Sequence, residues 1–173
     1  MQLDRSFDEF VASGSARLLR SAYLLTGDRQ QSEDLLQAAL VRTARRWEVA
    51  SESPHAYAHR VLVNLLHDRR RHLSRRAIEA PLAEFNGRGD QVVDGAADAL
   101  ADRIALRSAV RRLPVRQREV VVLRFFADLS VAETASAIGA SEGTVKTHTS
   151  RALKSLREAL TDAARQPTAP KGE

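Results

Sequence analysis

Five polar residues near the C-terminus have types and spacing suited to binding DNA. They recur at helical intervals on what would be one side of a helix: Lys146, Thr147, Ser150, Arg151 and Lys154. Lysine and arginine pair with phosphates and with the acceptor atoms of guanine, and hydroxyl groups bond to bases or backbone. Because the major groove is wide enough to admit one helix, this spacing predicts a helix that lies in the groove.

The residues before this helix predict the turn that positions it. Ser130 and Glu133 have the spacing of a capping box, which satisfies the first free amides of a short helix. Gly139 can take the left-handed conformation that ends that helix, and Ser141 is a good cap for the next one. Together they favour a helix-turn-helix over residues 130–160. The alternative is an ordinary solvated helix with scattered charge.

The other side of the second helix is apolar. Five residues recur there at helical spacing: Val145, Ala152, Leu153, Leu156 and Leu160. We expect them to pack inward, which would leave the polar side in solvent.

Three more helices are predicted in the N-terminal part. The first would carry an apolar stripe of Leu18, Leu19, Ala22, Tyr23 and Leu25, and would end at Thr26-Gly27-Asp28. The second would run over residues 29–47, with Asp34, Gln37 and Arg45 outside and with Leu35, Ala39, Leu40 and Trp47 buried.

The third would begin at Ser53-Pro54, because a serine cap before proline is a strong start signal for a helix, and would bury Tyr57, Val61 and Leu65.

The outer side of this third helix would be a basic strip. It contains Arg60, Asn64, His67 and Arg71 at helical spacing, followed by Arg75 and Arg76. Strips of this kind follow a phosphate backbone. The alternative is a solvated helix end, where arginine complements the helix dipole.

Charge divides the chain into three blocks. Residues 1–76 hold 13 arginines against 9 acids, residues 77–99 hold 1 against 5, and residues 100–160 hold 11 basic residues against 6 acids. The acidic block also contains Pro81 and three glycines without helical periodicity, so we interpret it as a linker rather than as a loop within one domain. The predicted class is all-α, with two small helical domains (1–76 and 100–160), a flexible acidic linker (77–99) and a polar tail (161–173).

Composition restricts the function further. The chain has no cysteine, which excludes disulfides and thiolate metal sites. It has no apolar run long enough to span a membrane, and its acidic, interrupted N-terminus does not resemble a signal peptide. We therefore expect a cytoplasmic protein without membrane insertion. A metal enzyme built on His55, His59, His67 and His72 is an alternative, but no third ligand or general base accompanies His55 and His59.

Three stretches resemble a known family: LLRSAYLLTGDRQQSEDLLQAALVRTARRW, SPHAYAHRVLVNLLHDRRR and the segment 113–160. They are similar to regions 2 and 4 of extracytoplasmic-function sigma factors, small bacterial initiation factors of the sigma-70 family, and most to the actinobacterial sigma-E-like subgroup. The resemblance covers residues 7–160 in the right order. It rests on Leu-Thr-Gly-Asp, Glu33-Asp34-Leu35 with Gln37, Asn64 with Asp68, and Leu-Pro-x-x-x-Arg-Glu.

The resemblance implies a function without catalysis, cofactor or metal: binding core RNA polymerase and directing it to promoter DNA. It implies that Asp34, Gln37 and Leu40 dock on polymerase, and that Arg60, Asn64, Asp68 and Arg71 read the minus-10 element with the loop at residues 49–53. For the minus-35 element it implies Lys146, Thr147, Ser150 and Arg151, with Thr144 and Lys154 on phosphates. Many relatives are held inactive by an anti-sigma factor, which makes such a protein a candidate partner. The chain departs from the family at Tyr57, often Trp, at Ala58 and at His148.

The length of the linker agrees with this function. Fully stretched, its 23 residues reach roughly 75–80 Å, comparable to the distance between two promoter elements, whereas a free coil would span only about 25–30 Å. Bivalent DNA binding would then need a scaffold, which core polymerase would supply. An autonomous helix-turn-helix repressor is the alternative, but it would need a symmetric dimer and would leave the basic strip unused.

Overall fold

The computed structural model describes residues 5–79 and 97–165, and all regular elements in these ranges are helical. In chain order they are α1 (Arg5–Thr26), α2 (Arg29–Ala44), α3 (Trp47–Ala50), α4 (Pro54–Glu79), α5 (Ala97–Arg112), α6 (Val115–Val121), a π-helical turn (Val122–Phe126), α7 (Val131–Ile138) and α8 (Glu142–Arg165). The all-α prediction is confirmed. Most of the expected linker, and the expected tail beyond Arg165, lie outside the described residues.

In the N-terminal half, α1, α2 and α4 pack together, and their buried apolar residues belong to a core that continues into α5, α6 and α8. Leu18, Leu25 and Leu62 are fully buried in it. An aromatic cluster closes one end, where the Trp47 ring lies 5.0 Å from Phe7 and 5.5 Å from Phe10, centroid to centroid. Asp28 caps α2 by accepting from the Gln31 amide at 2.7 Å. Helices α2 and α4 lie side by side in direct contact.

Two details of the predicted N-terminal helices are wrong. The helix expected over 29–47 ends at Ala44, because the backbone leaves the helical region at Arg46, and Trp47 starts the short helix α3 with its ring only half-buried. The buried stripe of α4 is not Tyr57, Val61 and Leu65, which are half-buried. The residues that point inward are Ala58, Leu62, Val63 and Leu66. The stripe is displaced because α4 packs against α2 on one side and α7 on another.

The C-terminal half consists of α5 to α8, with Val145, Ala152 and Leu156 of α8 buried as predicted. Leu153 was predicted to pack inward, but it is 40% exposed. It follows Ala152 by about 100° of helix rotation, which places it at the edge of the apolar side. The π-helical turn is marked by the amide of Ala127, which donates to the carbonyl of Val122 at 2.9 Å.

The two halves contact each other directly. Helix α4 packs against α7, and α1 packs against α5 and the π-helical turn. Sequence reasoning predicted two domains joined by a flexible linker and did not predict this packing. None of the described helices combines the length and apolar composition needed to cross a membrane.

Candidate nucleic-acid interface

The helix-turn-helix is built by three local caps. The Ser130 hydroxyl accepts from the Glu133 amide at 3.1 Å, and the Glu133 carboxylate accepts from the Ser130 amide at 2.8 Å. Hydrogen bonding of the carboxylate by Ser130, through its backbone amide first and its side chain second, lowers the pKa of Glu133. Gly139 adopts φ 65° and ψ 45°, the left-handed conformation that ends α7, and the Ser141 hydroxyl accepts from the Thr144 amide at 3.1 Å. The predicted capping residues are therefore confirmed.

The outer side of α8 is open to solvent. All six residues expected to contact the minus-35 element are exposed: Thr144, Lys146, Thr147, Ser150, Arg151 and Lys154. The Thr147 hydroxyl donates to the carbonyl of Gly143 at 3.0 Å, so its free lone pairs can only accept from a ligand. His148 is half-buried and lies at the edge of this surface. This side of α8 therefore presents three full positive charges to solvent, from Lys146, Arg151 and Lys154.

The expected minus-10 residues share the outer side of α4. Arg60, Asn64 and Arg71 are exposed and Asp68 is partly exposed. Arg71 forms an ion pair with Asp68 at 2.5 Å, and this hydrogen bond holds the pKa of Asp68 below its usual value. The pair compensates one positive charge of the strip. Arg60 also donates to the Ser136 hydroxyl of α7 at 3.4 Å, while Asn64 is exposed on the same side of the helix.

His67 lies on this strip but is not available to a phosphate. Its Nε2 is 2.9 Å from Oε1 of Glu119, a fully buried carboxylate of α6. The prediction of a continuous basic strip is wrong at this position. The cause is the packing of the two halves, which a single-helix pattern does not contain.

Next to the strip lies a cavity of about 260 Å³, lined by Tyr57, Val61, Asn64 and three arginines of α2 and the turn after it, Arg42, Arg45 and Arg46. Sequence reasoning placed Arg45 outside but gave none of these arginines a role. Their spacing, Arg-x-x-Arg-Arg before a tryptophan, is the pattern that could have indicated it. The guanidinium of Arg60 lies 5.4 Å from the centre of the Tyr57 ring, a cation–π distance.

The residues expected to dock on polymerase form one surface of α2. Asp34 and Gln37 are exposed, Leu40 is half-buried, and Val41 beside them is 52% exposed. Gln30 donates to Asp34 at 3.3 Å, which fixes the carboxylate on the surface. This surface combines an apolar patch with a single negative charge, which suits a protein partner better than DNA.

The histidines do not form a metal site. His59 is buried, with its Nδ1 2.7 Å from the carbonyl of His55 and its Nε2 3.2 Å from the Ser21 hydroxyl. Because a carbonyl only accepts, Nδ1 carries the proton, and burial lowers the pKa of His59 to about 4. Within residues 5–79 and 97–165, no three histidine, aspartate or glutamate side chains are grouped to hold a metal.

Comparison with known proteins gives matches in both halves. Residues 10–76 match the family model for sigma-70 region 2, and residues 103–156 match that for sigma-70 region 4. The RNA polymerase sigma-E factor of Streptomyces avermitilis is 40% identical over 89% of this chain and 84% of its own length. The ECF RNA polymerase sigma factor SigL of Mycobacterium tuberculosis is 30% identical over 84% of each chain.

A solved structure shares the fold. The sigma factor RpoE of Bartonella quintana, in complex with the anti-sigma factor NepR, matches with a TM-score of 0.79 and 21% identity, over 91% of this chain and 98% of that one.

Proposed function

This chain belongs to the extracytoplasmic-function group of the sigma-70 family, and we propose how its two halves divide the work of that family. It is a non-enzymatic initiation factor that binds core RNA polymerase and directs promoter recognition. The observation that carries the division of labour is that α8 and α4 present two separate, exposed basic surfaces in one chain. As a polymerase factor it works in the cytoplasm.

The C-terminal half reads the minus-35 element. Lys146, Thr147, Ser150 and Arg151 enter the major groove from α8, where arginine or lysine can bind guanine and hydroxyls can bind bases or phosphates. Thr144 and Lys154 lie at either end of this surface and bind the backbone. Exposure of all six side chains supports this proposal.

The N-terminal half opens and reads the minus-10 element. Arg60, Asn64, Asp68 and Arg71 contact the strand along α4, and a base extruded from the duplex enters the cavity beside Asn64. There Tyr57 offers a ring for stacking, and Arg42, Arg45 and Arg46 offer cations for the backbone. The amide of Asn64 can both donate to and accept from a base edge.

The third surface, on α2, docks on core polymerase through Asp34, Gln37 and Leu40. The domain division proposed from sequence, 1–76 and 100–160, gives one promoter element to each half and leaves residues 77–99 to connect them. An anti-sigma factor is a candidate partner, since the similar RpoE of Bartonella quintana forms such a complex.

Transcription of a genomic fragment library tests the function as a whole. Bacterial core polymerase is used with and without the full chain, and the transcript starts are sequenced. New starts that share two upstream elements at fixed spacing are expected. Binding of the protein alone to DNA as a symmetric dimer, without new starts, would instead favour the repressor.

A second experiment tests the minus-10 assignment. Asn64→Ala should reduce promoter opening, measured by the permanganate reactivity of unpaired thymines, while affinity for core polymerase stays unchanged. Arg69→Met is the matched control, because Arg69 is an exposed neighbour on α4 outside the proposed set. Equal opening by both variants would remove Asn64 from the site.

A further inference from the structure

We infer that Lys146 and Lys154 are sites of lysine acylation, and that this modification weakens the reading of the minus-35 element while it leaves the other proposed surfaces unmodified. The inference rests on the proposed function in one respect, namely that α8 contacts this element. It adds a chemical means of regulation, which acts through the side-chain amines of a single surface.

Lysine occurs only near the C-terminal end of the chain. Of the 27 basic residues, 24 are arginines and three are lysines: Lys146, Lys154 and Lys171. Lys171 lies outside the described residues. The other two lie on the exposed polar side of α8, where they supply two of its three positive charges and Arg151 supplies the third. The cations of the α4 strip and of the cavity beside it come from arginine alone.

This distribution matters because lysine and arginine respond differently to electrophiles. The guanidinium of arginine stays protonated at any physiological pH, so it has no free electron pair to attack with. The ε-amine of lysine has an unprotonated fraction whose electron pair attacks activated carbonyl carbons, which makes lysine the usual target of acylation. An acyl donor can therefore modify α8 without modifying the side chains of the arginine surfaces.

Both amines are open to such a donor. Lys146 and Lys154 are exposed, and neither forms an ion pair within residues 5–79 and 97–165. This holds although Glu142 lies four residues before Lys146 and Glu158 lies four residues after Lys154. A carboxylate in contact would shield an amine from an electrophile. Neither amine has to break such a contact before it reacts.

The reaction with an acyl phosphate, such as acetyl phosphate, is balanced by the release of phosphate. The ε-nitrogen forms a C–N bond to the carbonyl carbon, while the bond from that carbon to the phosphate oxygen breaks. Phosphate leaves with the bonding electron pair, and the nitrogen passes a proton to water. The product is a neutral amide, which keeps one N–H donor but has lost the positive charge.

Acylation at both sites would reduce the three positive charges on this side of α8 to one. The two lysines are separated by about 12 Å along the helix, with Arg151 between them. Each cation that contacts a phosphate adds about one to the slope of log affinity against log salt. Loss of two cations should therefore lower affinity for the minus-35 element about tenfold or more and reduce this slope by about two.

Acetyl phosphate is the probe for the full chain. The protein is treated, freed of reagent and only then mixed with core polymerase, so that polymerase itself is not modified. Mass spectrometry should find acetyl groups on Lys146 and Lys154. Transcription from a promoter with a minus-35 element should then fall about tenfold or more. Binding of labelled protein to core polymerase should not change, and neither should transcription from a template without that element.

Lysine-to-arginine variants separate the two sites from the other amines of the chain. Lys171→Arg should be inhibited by acetyl phosphate as strongly as the original chain. The double variant Lys146→Arg with Lys154→Arg keeps the N-terminal amine and Lys171, and its activity should be the same before and after treatment. Equal inhibition of the double variant and the original chain would overturn the inference, as would full activity of a chain acetylated at both sites.

Protection from acetylation distinguishes a failure of this inference from a failure of the proposed function, and it needs no variant. When the chain is assembled with core polymerase on promoter DNA, Lys146 and Lys154 should react more slowly relative to Lys171, because DNA covers them. If DNA protects them but acetylation of the free chain does not reduce transcription, the modification site fails and the minus-35 assignment stands. Without protection, the minus-35 assignment fails and the inference fails with it.

Discussion

The C-terminal half presents its proposed DNA-binding residues on a single helix, whereas the N-terminal half assembles its proposed surface from several elements. The polar side of α8 depends on caps within about a dozen residues of it, at Ser130, Gly139 and Ser141. The surface of α4 depends on α2 for Arg42 and on the turn after it for Arg46, and it shares His67 with the other half. A substitution in α8 should therefore act locally, while one in the N-terminal half should act through packing as well.

The difference matters for function because the proposed tasks of the two surfaces differ. Reading an intact duplex needs a rigid helix that fits the groove. Holding an extruded base needs a pocket, and a pocket needs walls from more than one element.

Charge reversal at the docking surface should have the largest effect, since it disables both halves. Asp34→Arg is expected to weaken binding to core polymerase by about 4 kcal/mol, or about a thousandfold. The reason is that a positive charge would then face partner groups that are complementary to the negative charge of Asp34. Titration of labelled protein with core polymerase measures it. Asp8→Arg, the same reversal on exposed Asp8 of α1, should bind normally. Full affinity of Asp34→Arg would mean that the docking surface lies elsewhere.

Low pH should lower the free energy of unfolding through protonation of His59 in the N-terminal half. Its folded pKa is about 4 against an ordinary value of 6.5, so the stability from this group is complete above about pH 6.5 and is lost as pH falls toward 4. The expected loss in free energy of unfolding is up to about 3 kcal/mol. Urea unfolding at both ends of this range measures it. His59→Gln should lack this part of the pH dependence, whereas His72→Gln, at an exposed site, should keep it.

Shortening the side chain of Arg151 on α8 should weaken only the recognition of the minus-35 element. Arg151→Ala is expected to cost about 2 kcal/mol, or about thirtyfold, in transcription from a promoter with a minus-35 element. On a template that lacks this element the loss should disappear. Arg157→Ala, exposed further along α8, is the control. An equal loss on both templates would show that Arg151 acts on folding and would weaken the contrast between the halves.

The turn between α7 and α8 should show the smallest effect. Gly139→Ala is expected to lower the free energy of unfolding by about 1 kcal/mol, because alanine disfavours φ 65°. A Cβ at this position would meet nothing within 4 Å, so conformation alone is tested. Gly143→Ala lies in the first turn of α8 and should be neutral or stabilising. A loss for Gly143→Ala equal to that for Gly139→Ala would contradict the explanation.

The same contrast explains what could be predicted from sequence. The caps of α7 and α8 were predictable because the interacting residues lie three positions apart. The exposure of Lys146 and Arg151 was predictable because the apolar side of α8 has clear helical spacing. Leu153 was misplaced since periodicity does not resolve the edge of such a side.

Long-range partners could not be predicted. Glu119 belongs to the Leu-Pro-x-x-x-Arg-Glu pattern, but its partners Arg70 and His67 are 49 and 52 residues away. The buried stripe of α4 was misassigned for a related reason, since which of its sides is buried depends on α2 and α7 together. Helical periodicity predicts the individual helices. The packing between the two halves depends on contacts between residues far apart in sequence, which no local pattern encodes.

The π-helical turn Val122–Phe126 has a consequence for changes in chain length. Such a turn holds an extra residue compared with an α-helix, and each residue rotates an α-helix by about 100°. Deletion of one codon in this segment would let α6 continue as a regular helix but would swing α7 and α8 through more than a quarter turn. The number of residues in this turn thus sets the direction in which α8 points.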